Sequence, residues 1–193
     1  MDSTNSPDAV LDFWFGAPQS PAYGTERDEW FRKDPVFDSE LRARFGVNID
    51  AALAGAFDGW RDARPTLARV LLLDQFTRNA YRGTPRSFAG DALALALARA
   101  AVARGVDQQL LPVERWFLYM PFVHAESMPA QDASVALFTR LAQETGLDTQ
   151  LPWATRHADV IRRFNRFPHR NEILGRSSSP EETQFLASPG SRF

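Results

Sequence analysis

Thr66-Leu67-Ala68-Arg69-Val70-Leu71-Leu72-Leu73-Asp74-Gln75-Phe76-Thr77-Arg78-Asn79-Ala80 is the stretch on which the fold turns. Leu67, Val70 and Leu71 recur three and four apart, so the segment reads as a helix. Leu72, Leu73 and Phe76 fill the remaining sides, and a helix apolar nearly all round belongs at the centre of a domain. Asp74 and Arg78 then continue the core stripe, where charges are costly unless paired or hydrogen-bonded.

The rest of the chain repeats helix signals. Ser6-Pro7-Asp8 supplies a cap, a first-turn proline and an acid for a helix that Gly16 stops. Asp34-Pro35 repeats the device with Gly46 as the stop, and further starts are expected at Thr66, near Ser87, and at Pro112, Pro129 and Pro152. Gly105 and Gly146 stand as carboxyl-terminal stops, and Ser179-Pro180-Glu181-Glu182 matches a capping box. No run of alternating β-branched residues suggests a strand, and the short gaps imply antiparallel neighbours. The expected fold is all-α, one domain over residues 1–193, ordered over 6–187 with a frayed tail from Ser188 to Phe193. Of the adjacent aromatics Phe13-Trp14-Phe15, Trp30-Phe31 and Trp116-Phe117, one ring of each set is expected in the core.

Composition narrows the function classes. At 193 residues, 44% hydrophobic and 24% charged, the chain suits one globular domain. The longest apolar stretch, Ala92 to Ala98, is bounded by Asp91 and Arg99 and falls far short of the roughly 20 residues a membrane span needs. The polar start Met1-Asp2-Ser3-Thr4-Asn5 does not read as a signal peptide, which points to a cytoplasmic protein. A net charge of −2 gives no global attraction to nucleic acid, and Lys33 as the sole lysine among the basic residues reads as codon bias towards arginine. With no cysteine, any chemistry must use oxygen and imidazole groups.

Polar residues interrupt two further core stripes. From Pro112, the stripe Val113, Trp116/Phe117, Met120 leads to His124 if the helix survives Pro121; from Pro152, Trp153 leads through His157 to Val160/Ile161 and Phe164. His169 follows in the polar loop Arg166-Phe167-Pro168-His169-Arg170-Asn171-Glu172, Glu126 lies just after His124, and Asn79 and Arg82 extend the Asp74 segment. The expected site therefore uses Arg78, Arg82 and Arg170 to hold a small anion, with His124, Glu126, His157 or His169 moving a proton. Asp74, Gln75, Asn79, Arg166 and Asn171 complete its polar lining. Two alternatives stay open: a groove that binds a peptide or protein, and an ion-pair network that only holds helices together. Three imidazoles and a carboxylate could ligate a metal, but no His-x-x-x-His clasp exists, and no metal or cofactor is expected. Phosphate-loop and nucleophile-elbow motifs are also absent.

Three segments resemble the bacterial domain-of-unknown-function family 924: Leu72 to Asn79, Tyr119-Met120-Pro121 with His124 and Glu126, and Arg166 to Asn171 through Leu174-Gly175-Arg176. The likeness runs from Val10-Leu11-Asp12-Phe13-Trp14-Phe15 to Glu182. It implies a helical fold similar to tetratricopeptide-repeat proteins, and no function. Asn165 stands where glycine is usual, which a left-handed turn tolerates, and Thr77 stands where proline is common, which lets the helix run further.

Overall fold

The computed structural model describes residues 5–21 and 23–191, and all regular structure among them is helical. Met1–Thr4 of the polar start and Arg192–Phe193 of the expected tail lie outside the described residues. Helix α1 (Pro7–Phe15) begins as its sequence dictates, with Ser6 Oγ accepting from the Ala9 amide at 3.2 Å, and ends at Gly16 with φ 83°. Helix α2 (Pro35–Leu53) is capped by Asp34, whose carboxylate accepts from the Val36 and Phe37 amides.

The stop expected at Gly46 does not occur, because α2 runs seven residues beyond it. Glycine inside a helix costs about 1 kcal/mol relative to alanine. Full burial of Phe45 and Ile49 on either side outweighs that cost, at roughly 2 kcal/mol for each apolar side chain.

The central segment is helical but not uniform. Helix α3 (Ala63–Leu71) starts three residues before the expected Thr66, opens into a π turn over Leu72–Phe76, and resumes as α4 (Thr77–Ala80). Leu67, Ala68 and every residue from Val70 to Asp74 are fully buried, as a helix apolar on all sides requires. Thr77 permits the continuation, its hydroxyl donating to the Leu73 carbonyl at 2.8 Å. After a short 3-10 turn at Pro85–Phe88, α5 (Asp91–Ala103) approaches this segment so closely that a Cβ on Gly90 would collide with the Leu73 backbone carbonyl. Only glycine fits there.

Helices α6 (Pro112–His124), α7 (Met128–Thr145) and α8 (Leu151–Phe164) pack consecutively, the arrangement that stacked helix pairs require. Helix α6 survives Pro121, so His124 does complete it. Buried Gln131 of α7 donates to the carbonyls of Phe122, Val123 and Ala125, satisfying the end of α6 that holds His124.

Trp153 does not join the core as its stripe suggests but is 47% exposed. The inward face of α8 is instead Ala154, Ala158 and Ile161, whose small residues let α7 approach. Helix α8 ends at Asn165 with φ 56°, the left-handed turn expected of asparagine there. Helix α9 (Pro180–Leu186) carries the predicted capping box between Ser179 and Glu182.

The main core is aromatic. Trp14 and Phe15 are both buried, two rings from one triplet rather than one, and pack with Trp30, Phe76 and Phe117. A smaller cluster of Val160, Ile161 and Phe167 lies under the last helix. Among the described residues no helix is long and apolar enough to cross a membrane.

Candidate functional site

The π turn sets the wholly buried Asp74 at the meeting point of α5, α6 and the 166–176 loop. Three side chains converge on its carboxylate: Gln75 Nε2 donates to Oδ2 at 2.6 Å, His124 Nδ1 lies 2.7 Å from Oδ1, and Arg78 Nη1 lies 3.1 Å from Oδ1. Burial alone would raise the pKa of Asp74; Arg78, His124 and Gln75 more than reverse this and hold it at about 2. The carboxylate is ionised and can only accept, so Nδ1 of His124 carries the proton. Burial and the Arg78 charge depress the pKa of His124 more than Asp74 raises it. His124 is therefore a neutral imidazole at neutral pH, oriented through Nδ1, and Nε2 has no partner among the described residues.

A second carboxylate, Asp91, joins two arginines. Arg78 meets it at 2.8 and 3.0 Å, and Arg170 Nη1 donates to it at 3.2 Å. Asp91 lies in the first turn of α5, where the helix dipole favours an acid. Arg170 Nη2 donates to the His124 carbonyl at 3.0 Å, tying the loop to the end of α6. Its guanidinium lies 4.7 Å from the Phe88 ring and 4.6 Å from Phe167, a stacked setting that lysine would not reproduce. Burial and the neighbouring Arg78 push Arg170 down to about 10, and its buried Nε has no hydrogen-bond partner among the described residues.

His157 and His169 flank Phe167, their rings 5.5 and 5.6 Å from it. His157 Nδ1 bonds to the Trp153 carbonyl at 2.8 Å, and burial, with His124 and His169 nearby, lowers its pKa. The structure thus brings Asp74, Gln75, Arg78, His124 and Arg170 together, with His157 and His169 beside them around Phe167; of these only Gln75 had no polar anomaly of its own in the sequence. Among the described residues no three histidine or carboxylate side chains form a set that could hold a metal.

The remaining candidates sit elsewhere. Glu126 is gripped by Arg176 at 2.7 and 2.9 Å and accepts from the Phe167 amide, which fixes the loop rather than presenting an acid to His124. Arg166 grips Glu182 at 2.6 and 2.7 Å, and Asn171 donates to Ser178 and Glu182, pinning α9. Asn79 and Arg82 both bind Asp38 of α2. Sequence reasoning missed Asp91, Phe88 and Arg176. Asp91 was read only as the charged boundary of the Ala92–Ala98 stretch, with a helix start expected near Ser87; α5 begins at Asp91 itself, and nothing local announces its two arginines.

Comparisons with known proteins bear on the family and the fold. A family model described as a bacterial protein of unknown function matches residues 10–190. No curated protein matches the chain. A solved structure of a protein of unknown function from Agrobacterium tumefaciens is similar, with 42% identity and a TM-score of 0.82 over 94% of this chain and 96% of that one. With nearly its whole length matched, the chain belongs to the bacterial family of unknown function DUF924.

Proposed function

We propose that Asp74 and His124 form a proton-transfer site of a cytoplasmic protein, acting on a small molecule whose carboxylate or phosphate is drawn to Arg78 and Arg170. The observation that carries this reading is the 2.7 Å contact from His124 Nδ1 to a buried, ionised carboxylate. It fixes the tautomer, leaves Nε2 basic, and stabilises the imidazolium formed when Nε2 takes a proton. A positioned base of this kind contributes on the order of 10²–10⁴ in rate. A π turn at the carboxylate adds support, since such turns are frequent at functional sites.

Electrostatics link the two halves. Two carboxylates and two guanidiniums balance around a neutral imidazole, so an arriving anion adds uncompensated negative charge. That charge raises the pKa of His124, and binding is accompanied by proton uptake. The test is NMR titration of the His124 ring, and of Arg78→Ala and His124→Ala, with inorganic phosphate and with malonate. Saturable binding that raises the His124 pKa, and that both variants lose while keeping their helical spectrum, supports the site. Variants that bind like the wild type refute it.

The same charge balance favours a second reading, in which the centre is scaffold for a stacked-helix groove that takes a peptide. His124→Gln then leaves partner capture intact, whereas the proton-transfer reading has it abolish turnover.

A further inference from the structure

Apart from the Asp74 centre, whose charges balance, a positively charged concave surface lies at the start of α3. It is a groove of about 310 Å³ between the 54–62 segment, the start of α3 and the last turn of α5. Arg61, Arg69 and Arg104 line it against a single carboxylate, Asp58, with Trp60 and Leu97 as the apolar wall.

The three guanidiniums are unequally committed. Arg69 Nη2 lies 2.8 Å from Asp58 Oδ1, and that carboxylate is 76% exposed. The Arg69 side chain is only 10% exposed, yet its buried Nε has no hydrogen-bond partner among the described residues, and its bonds to the Phe57 and Gly55 carbonyls are long at 3.5 Å. An unmet buried donor on a cation is a costly arrangement. Arg61 and Arg104 have no carboxylate partner among the described residues. Arg61 Nε donates to the Asp58 carbonyl at 2.8 Å and Arg104 Nη1 to the Arg61 carbonyl at 3.2 Å, so backbone oxygens hold both cations at the rim. One acid against three bases leaves the groove strongly positive in a chain whose net charge is −2.

The segment that presents these groups is set rigidly. Phe57 adopts φ 68°, a left-handed conformation that phenylalanine rarely takes, and its ring stacks on Trp60 with centroids 4.3 Å apart. Backbone strain of this kind persists where surrounding contacts over-determine it, and it clusters at ligand clamps.

We propose that this groove is an oxyanion-binding site for a small molecule bearing a phosphate or carboxylate, held by Arg61, Arg69 and Arg104 with its apolar part against Trp60. Guanidinium pairs grip such groups at two points, and the partly desolvated wall strengthens the contact. The site is independent of the Asp74 centre and would stand if that centre were purely structural.

The test uses the full chain and two probes, inorganic pyrophosphate and malonate, which separate phosphate from carboxylate preference. Nitrogen–proton NMR follows the Trp60 indole and the Arg69 Nε–H as each probe is titrated. Saturable shifts at these two groups are expected, with affinity falling roughly tenfold or more in the Arg61→Ala/Arg104→Ala double variant. Asp58→Asn, which removes the competing carboxylate from an exposed position, is expected to tighten binding and serves if the double variant folds poorly. The proposal is overturned by an absence of saturable shifts with both probes, by shifts confined to His124 and Arg170, or by unchanged affinity in both variants.

Discussion

Replacing Asp74 with asparagine keeps the shape of the side chain and removes its charge, which isolates what the buried carboxylate contributes. Its pKa is depressed from 3.8 to about 2, worth roughly 2 kcal/mol at about 1.4 kcal/mol per pH unit. Because the folded-state value is the lower one, this stability is fully present above pH 3.8 and is lost as pH falls towards 2. Asparagine also turns one donor pair against itself, since its amide would face Gln75 Nε2 across 2.6 Å unless the Gln75 amide flips. At neutral pH, Asp74→Asn is therefore expected to unfold about 2–4 kcal/mol more easily than the wild type. In a chain of this size that is a fall in Tm of about 5–15 °C. Urea unfolding followed by circular dichroism at pH 7 and at successively lower pH measures the difference, and other titrating carboxylates cancel between the two proteins. The gap should narrow below pH 4 towards the residue left by the amide clash. A gap that stays constant with pH, or a variant as stable as the wild type at pH 7, would refute the assignment of Asp74 as an ionised, stabilising carboxylate.

Gly90→Ala drives a methyl group into the Leu73 carbonyl, and because the obstacle is backbone it should cost about 2–3 kcal/mol by thermal unfolding, against a near-neutral change at open Gly59. Gln131→Leu leaves three carbonyls at the end of α6 without their donor and should cost about 2 kcal/mol, with amide exchange rising over Phe122–Ala125. His124 and His157 both have depressed pKa values, so the folded state resists their protonation. Stability should rise with pH up to about the ordinary 6.5, and His124→Gln should flatten part of that rise.

Features governed by neighbouring residues were legible from the sequence. Ser6, Asp34 and Ser179 cap the helices they were read to cap, because a cap is settled within about four residues. Gly46 misled because its local penalty is smaller than the long-range burial of Phe45 and Ile49. Asp74, Arg78 and His124 were legible as polar groups on apolar stripes, and Arg170 as part of a dense polar loop. Asp91 was not, since its partners come from α3–α4 and from a loop 79 residues away. Asn79 and Arg82 were expected in the polar centre; the structure pairs both with Asp38 of α2, a partner 41 and 44 residues away that nothing local announces.

The π turn over Leu72–Phe76 carries information in its length. One extra residue per turn rotates everything after it by about 100° relative to a regular helix. Removing a single residue between Leu72 and Phe76 would leave the composition almost unchanged and even regularise the hydrogen bonding, yet it would swing Arg78 off Asp91 and Asn79 off Asp38. The polar centre is thus encoded partly as phase, and chains of this family that keep every named side chain but lose one position in that turn should be unable to assemble it.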